Sequence, residues 1–191
     1  YHRSADAARA LAEEARGLGR RCGHAAADLT TTGGADALVA EAVAFLGGLD
    51  VLINNAGSLV ARKTLAEADD AFWAEVMALN VDSLRRVTRA ALPHLAAAAR
   101  TGGGASSVNL SSLAGRKGGH AGSLVYFTAK GAILTFTRSL ASELGPQGIR
   151  VNALAPGLIL GTSFHNTHTT KQSADATIAG IPLGRGGSAE D

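Results

Sequence analysis

Tyr126 and Lys130 are the side chains of this 191-residue chain whose types and spacing best suit chemistry. They stand four residues apart in a segment, Val125 to Leu144, where Ile133, Phe136, Leu140 and Leu144 recur at helical spacing. Residues four apart on a helix share a face, so phenol and ammonium project from adjacent turns. A fixed cation beside a phenol favours phenolate and moves a group with a reference pKa of about 10 toward neutrality. A phenol tuned in this way can hand a proton to a carbonyl oxygen or take one from an alcohol. The same spacing also arises from a packed tyrosine followed by a solvated lysine, so the pair alone is weak evidence.

The elements that would position the pair alternate along the chain. Ala8, Leu11, Ala12 and Ala15 predict a first helix, with Ser4 as its cap and Asp6 near its positive end. Gly17 to Gly23 is glycine-rich, but it follows a helix and precedes a strand. A dinucleotide loop needs the opposite order, so this is a turn. Gly23 to Asp28 reads as a short strand, followed by a polar run and a helix bearing Val39, Ala42, Val43 and Leu46, which Gly47-Gly48 ends. Leu49 to Ile53 reads as a buried strand that breaks into Asn54-Asn55-Ala56-Gly57. Asp69 or Asp70 starts a helix through Leu79, and Leu84, Val87, Ala91 and Leu95 continue helically past Pro93. Ala105 to Leu110 is a strand running into Ser111-Ser112. A glycine-rich loop, 115–122, leads to the Tyr126 helix, which Gly145-Pro146 stops. Ile149 to Leu154 is the next strand, and residues 158–181 read as irregular.

Strands alternating with helices imply βαβ crossovers and an α/β fold with a parallel sheet, within one domain over 1–191. The strand ends carry Asp28, Asn54 to Gly57, Ser111-Ser112 and Pro156-Gly157. In open α/β sheets ligands bind outside those ends, so these groups are expected on one rim with Tyr126. The net charge of +2 is scattered; Arg85, Arg86 and Arg89 read as a solvated helix face, and no nucleic-acid stripe is expected. A single cysteine, Cys22, allows no internal disulfide and suits a reducing cytoplasm. His165 and His168 have no evident third ligand, so no metal is expected. No apolar run approaches a membrane span.

Taken in order, Asn54-Asn55-Ala56-Gly57, Leu79-Asn80-Val81, Val108 to Gly115, Tyr126-x-x-x-Lys130 and Pro156-Gly157 resemble the motifs of the short-chain dehydrogenase/reductase family. The resemblance implies a Rossmann-like doubly wound parallel sheet and an NAD(P)-dependent oxidoreductase of the EC 1.1.1 type. It implies catalytic roles for four residues. Tyr126 would be the general acid or base. Ser112 would hold the substrate oxygen. Lys130 would lower the tyrosine's pKa and bind the nicotinamide ribose. Asn80 would position a water linking Lys130 to solvent. Asp28 and Leu29 would flank adenine; Asn54, Ala56 and Gly57 would flank its ribose. Pro156, Gly157, Ile159 and Thr162 would touch the nicotinamide end. Ser111 and Asn55 read better as strand-end residues than as ligand contacts.

The sequence also departs from the family. Its opening strand, with the T-G-x-x-x-G-x-G loop that binds pyrophosphate, is absent, as is its last strand; the expectation is a partial record of a longer protein. The Ser112-to-Tyr126 spacing and the Pro156-to-Thr162 spacing are each one residue longer than is usual in the family. Tyr1 stands where NAD-preferring members place an acid, and Arg3 and Ser4 follow, so NADP is expected ahead of NAD. Residues 158–181 would be a substrate lid, its Phe164, His165, Asn166 and His168 suiting a polar oxo compound such as a keto acid or sugar derivative. A 3-oxoacyl thioester is the other substrate the motif wording suggests, and a non-catalytic dinucleotide-sensing or partner-binding protein is the alternative function. The family also implies a homotetramer or homodimer.

Overall fold

The computed structural model describes residues 1–191 apart from Arg3 and the side chain of Ser163. The expected contact of Arg3 therefore lies outside the described residues. Eight α-helices are found among the described residues: α1 Ala5–Gly17, α2 Thr32–Leu46, α3 Asp70–Met77, α4 Ser83–Arg100, α5 Ala114–Lys117, α6 Leu124–Leu144, α7 Ser163–His168 and α8 Lys171–Ile178. A π-helical turn, Ala78–Asp82, joins α3 to α4. Three strands, β1 Val51–Asn54, β2 Ala105–Leu110 and β3 Ile149–Leu154, form a parallel sheet in that order. The chain divides into two compact units: Tyr1–Asn54, Asp82–Val108 and Leu140–Asn152 make the first, and Asn55–Val81, Asn109–Ser139 and Ala153–Asp191 the second.

The first unit is built on small and branched side chains. The hydroxyl of Thr31 accepts from the Gly34 amide and caps α2, and Gly47 ends the helix in the left-handed conformation. Buried Ala35 and Val39 of α2 join Val87, Ala91 and Leu95 of α4 in one core, with Ala105, Leu144, Ile149 and Val151. Alanine at the contact lets the two helices approach closely, and each larger side chain buried contributes about 1.5–3 kcal/mol. Asp36 and Arg89 bridge α2 and α4 at 3.3 Å.

Four expectations fail in this unit. Gly23 to Asp28 is not a strand: the backbone it meets is that of Tyr1, through Tyr1 N to Ala25 O and Ala27 N to Tyr1 O, both 2.9 Å. One residue cannot template a ladder. β1 is not buried on both faces; Val51 is 54% and Ile53 62% exposed, on one face of the strand, while Leu52 and Asn54 on the other face are covered. Ser4 occupies the cap position of α1 but makes no side-chain cap bond. Arg86 is not on a solvated face. Its side chain is largely buried 3.8 Å from Asp82, and its Nε and Nη1 are buried without a hydrogen-bond partner.

The second unit packs Phe72 and Val76 of α3 against Val125 and Ala129 of α6, with Tyr126 partly buried on the same cluster. Asp69 caps α3 through the Phe72 amide at 2.8 Å, as the sequence suggested. Residues 158–181 are not irregular. Thr162 and Thr170, which read as loop composition, are the N-caps of α7 and α8, their hydroxyls accepting from His165 N and Ser173 N.

Candidate functional site

The second unit brings three expected site residues onto one spot. Val125, Ala129 and Ile133 are the buried stripe of α6, so Lys130 is turned inward with them and is 4% exposed. A buried ammonium needs acceptors. Its Nζ donates to the carbonyl of Leu110 at the end of β2, at 2.8 Å, and sits 5.6 Å from the centroid of the Tyr126 ring. The Lys130 carbonyl in turn accepts from the Ser111 hydroxyl at 2.6 Å, which gives Ser111 the structural role expected of it.

Asn80 is fully buried inside the π turn. Its Nδ2 donates to Ser58 O at 2.8 Å and Val76 O at 2.9 Å, and its Oδ1 accepts from Ser58 N at 3.2 Å. Both amide hydrogens are thus committed to backbone, and the side chain works as a clamp on the loop after Gly57. Gly57 fits because it lacks a Cβ: one built there would lie 2.6 Å from Asn80 Oδ1 and 3.1 Å from Lys130 Nζ. Gly115 has the same function behind the helix, where a Cβ would lie 2.7 Å from the Lys130 carbonyl carbon. Asn55, Ala56 and Gly57 are exposed.

Burial sets the electrostatics. It pushes the Lys130 ammonium down to about 8 and the Tyr126 phenol up to about 12. Both shifts disfavour the charged form. The expectation that Lys130 would draw Tyr126 toward neutrality is therefore reversed in direction, since desolvation of the phenol outweighs an ammonium on its ring face.

The remaining expected residues fall in two groups. In the second unit, Ser112 is half-buried and its Oγ accepts from Ala114 N at 3.2 Å. The Pro156 carbonyl accepts from Leu113 N at 2.9 Å, so Pro156-Gly157 runs beside the serine segment. Ile159 bridges to Gly187 in parallel register. Thr162 is occupied locally: it donates to Ile159 O at 3.2 Å and caps α7. The Phe164 ring of α7 lies 5.8 Å from that of Tyr126, with His165 and His168 edge-on to it at 5.1 and 5.2 Å.

In the first unit, Asp28 Oδ1 accepts from the Thr30 amide at 2.9 Å and the Thr30 hydroxyl at 2.6 Å, which holds its pKa below the usual carboxylate value. Leu29 packs at the edge of the core, and Ser4 is exposed. Asn54, expected beside a ribose, is 8% exposed and its side chain donates to Thr88 Oγ1 at 3.0 Å, while Asn55, expected to be a strand-end residue, is exposed. Sequence reasoning missed Leu110 and Ser58, because both act through backbone groups that every residue carries. A cavity of about 640 Å³ lined by Thr64, Leu65, Gly115, His120, Phe127 and Thr128 does not include Tyr126 or Lys130.

Known proteins are similar to this chain in sequence and fold. The family described as enoyl-(acyl carrier protein) reductase matches residues 1–191. The chain is 34% identical over 179 residues to 2-dehydro-3-deoxy-D-gluconate 5-dehydrogenase of Escherichia coli (strain K12), covering 94% of this chain and 69% of that protein. It is 41% identical over 168 residues to a putative ketoacyl reductase of granaticin polyketide synthase from Streptomyces violaceoruber, covering 86% and 65%. The chain thus spans about two thirds of the length of these relatives. Among solved structures, the NADH-dependent reductase A1-R′ responsible for alginate metabolism superposes with a TM-score of 0.84 at 34% identity, over 95% of this chain and 69% of that one. The same reductase complexed with NAD gives 0.80, over 94% and 67%.

Proposed function

Because the chain belongs to the short-chain dehydrogenase/reductase family, we propose that it serves an oxidoreductase that moves hydride between a nicotinamide dinucleotide and a carbonyl or alcohol substrate. The observation that carries this reading is the buried Lys130, tied to Leu110 O and lying on the Tyr126 ring beside the clamp of Asn80 and Gly57. The bare backbone at Gly57, where any side chain would strike Asn80 and Lys130, fits the close approach of a dinucleotide ribose. Nicotinamide, when bound, supplies or accepts the hydride.

The chain's own residues handle the proton. Tyr126 Oη gives it to the substrate oxygen in reduction and takes it back in oxidation. With burial holding the phenol up near 12, Tyr126 carries its proton at neutral pH and has it to give when a carbonyl is reduced. Lys130 is largely protonated below its pKa of about 8, so it holds positive charge beside the phenol as phenolate forms. Ser112 Oγ donates to the same substrate oxygen as charge develops there. The Asn80 side chain is committed, so its contribution to proton return runs through backbone carbonyls of the π turn, where the regular α-helical pattern is broken. Tyr126, Lys130, Pro156, Gly157, Ile159 and Thr162 would hold the nicotinamide end. Arg3, Ser4, Asp28, Leu29, Asn54, Ala56 and Gly57 would hold the adenosine end.

NADP is the preferred cofactor in this reading, because Tyr1 stands where an acid would select NAD and a guanidinium follows at Arg3. The substrate is a polar oxo compound, a keto acid or sugar derivative, with a 3-oxoacyl thioester as the competing class; relatives of both kinds are similar to this chain. A panel of oxo-acids, keto-sugars and 3-oxoacyl thioesters assayed with NADPH and NADH tests both points. Reduction of one of the polar classes with NADPH favoured is expected. A tenfold preference for NADH would overturn the cofactor assignment, and activity confined to the thioesters would overturn the substrate assignment.

A further inference from the structure

Arg62 stands in the loop that follows Gly57 and belongs to none of the family motifs. It is nevertheless the side chain that ties α7 to the start of the Tyr126 helix. Nη1 donates to the hydroxyl of Ser123 at 2.5 Å, three residues before Tyr126. Nη2 and Nε both donate to the carbonyl of His168 at the end of α7, at 2.8 and 3.3 Å. The fork is held from behind, because Lys63 N donates to Gly122 O at 2.9 Å and fixes the Arg62 backbone beside Ser123. Ser123 is itself buried, so its hydroxyl needs a partner, and Arg62 supplies it.

The segment 158–191 makes its other hydrogen bonds within itself. Among the described residues, the bonds it receives from elsewhere in the second unit come from Arg62 alone. What α7 delivers at its other end is Phe164, whose ring rests on Tyr126. A guanidinium bonded to a terminal helix carbonyl combines a charge-assisted hydrogen bond with the negative end of the peptide dipoles. Lysine's three donors all radiate from one nitrogen, so it lacks the planar fork whose separate nitrogens reach Ser123 and His168 together.

We infer that Arg62 is a positioning residue: it latches α7 to the catalytic helix and so sets where Phe164 sits over Tyr126, which determines how tightly a substrate carbonyl is held there. This rests on Tyr126 being the proton donor, but the latch itself has a readout that does not. Losing the latch makes substrate binding close the lid unaided, so KM rises while the chemical step, once closed, is unchanged.

The test uses Arg62→Ala, Arg62→Lys, Phe164→Ala and the double variant Arg62→Ala/Phe164→Ala in the full-length protein. Hydrogen exchange of residues 163–168 is measured without substrate, and KM and kcat with it. Arg62→Ala should speed exchange in α7 about tenfold or more and raise KM by about tenfold with kcat within about twofold. Arg62→Lys should recover part of each, and in the double variant the Arg62 effect on KM should largely vanish. Unchanged exchange in Arg62→Ala overturns the latch whatever the activity. Faster exchange with unchanged KM, or additive effects in the double variant, overturns the action through Phe164. Faster exchange in a protein with no turnover on any substrate keeps the latch and removes the proposed function instead.

Discussion

The two units of this chain use their expected site residues differently. In the first, the candidates for ligand contact are largely used up by the fold: Asn54 is bonded to Thr88, Asp28 to Thr30, and the core around them is Ala, Val, Leu and Ile. In the second, Asn80 is bonded to backbone as well, but burial has shifted the charge states of Lys130 and Tyr126. Lys130 is inside the unit on one backbone acceptor, and Tyr126 is pressed against Phe72, Val76 and Phe164. The difference teaches where to look for chemistry. A polar residue satisfied by its neighbours stabilises; one whose charge state burial has shifted is available to transfer a proton.

Three variants sharpen that contrast. The largest effect is expected for Ser112→Ala, which removes a donor to the developing oxyanion and should lower kcat by about 10²-fold or more, with the melting temperature little changed. An unaltered kcat would leave Ser112 a structural residue like Ser111. Next is Lys130→Met. The folded pKa of about 8 lies below the ordinary 10.5, so from pH 8 to 10.5 the unfolded chain binds more protons and stability from this group rises with pH. Below pH 8 the buried charge costs about 3 kcal/mol, offset by about 1 kcal/mol from the bond to Leu110 O. Lys130→Met should therefore be more stable than the parent by about 2 kcal/mol at pH 7 in denaturant melts. The gap should close as pH rises toward 10, and a gap independent of pH would mean that the lysine is not desolvated. The smallest effect is expected for Asn54→Ala. It leaves Thr88 without its partner and should cost about 1 kcal/mol of stability, without changing dinucleotide affinity more than about twofold. A large loss of affinity would move Asn54 from the first behaviour to the second.

Much of this was legible in residue patterns. The β2 and β3 boundaries, the Asp69 cap and the extent of α6 follow from apolar periodicity and from capping residues, which act locally. That Asn80 and Gly57 lie with Lys130 was expected from the family resemblance and the strand ends, but the contacts that hold them, through Leu110 O and the Ser58 backbone, were not, since no residue type announces them. Gly23 to Asp28 and β1 misled for one reason. Strand formation and strand burial both depend on neighbours: among the described residues the first segment pairs with the backbone of Tyr1, and β1 has one face open. Thr162 and Thr170 misled because a capping threonine and a loop threonine look alike until the helix behind them is seen. The direction of the Tyr126 shift was missed because spacing reveals the nearby cation but not the depth of burial that opposes it.

The central claim is that Tyr126 transfers the proton and does not merely pack. Tyr126→Phe keeps the ring and removes the Oη alone. Turnover and dinucleotide binding, the latter by fluorescence titration, should be measured on the same full-length preparation. The account predicts a loss of kcat of about 10³-fold or more with the dissociation constant within about threefold of the parent. Turnover at the parent's rate would contradict it and leave Tyr126 a packing residue with no part in the chemistry.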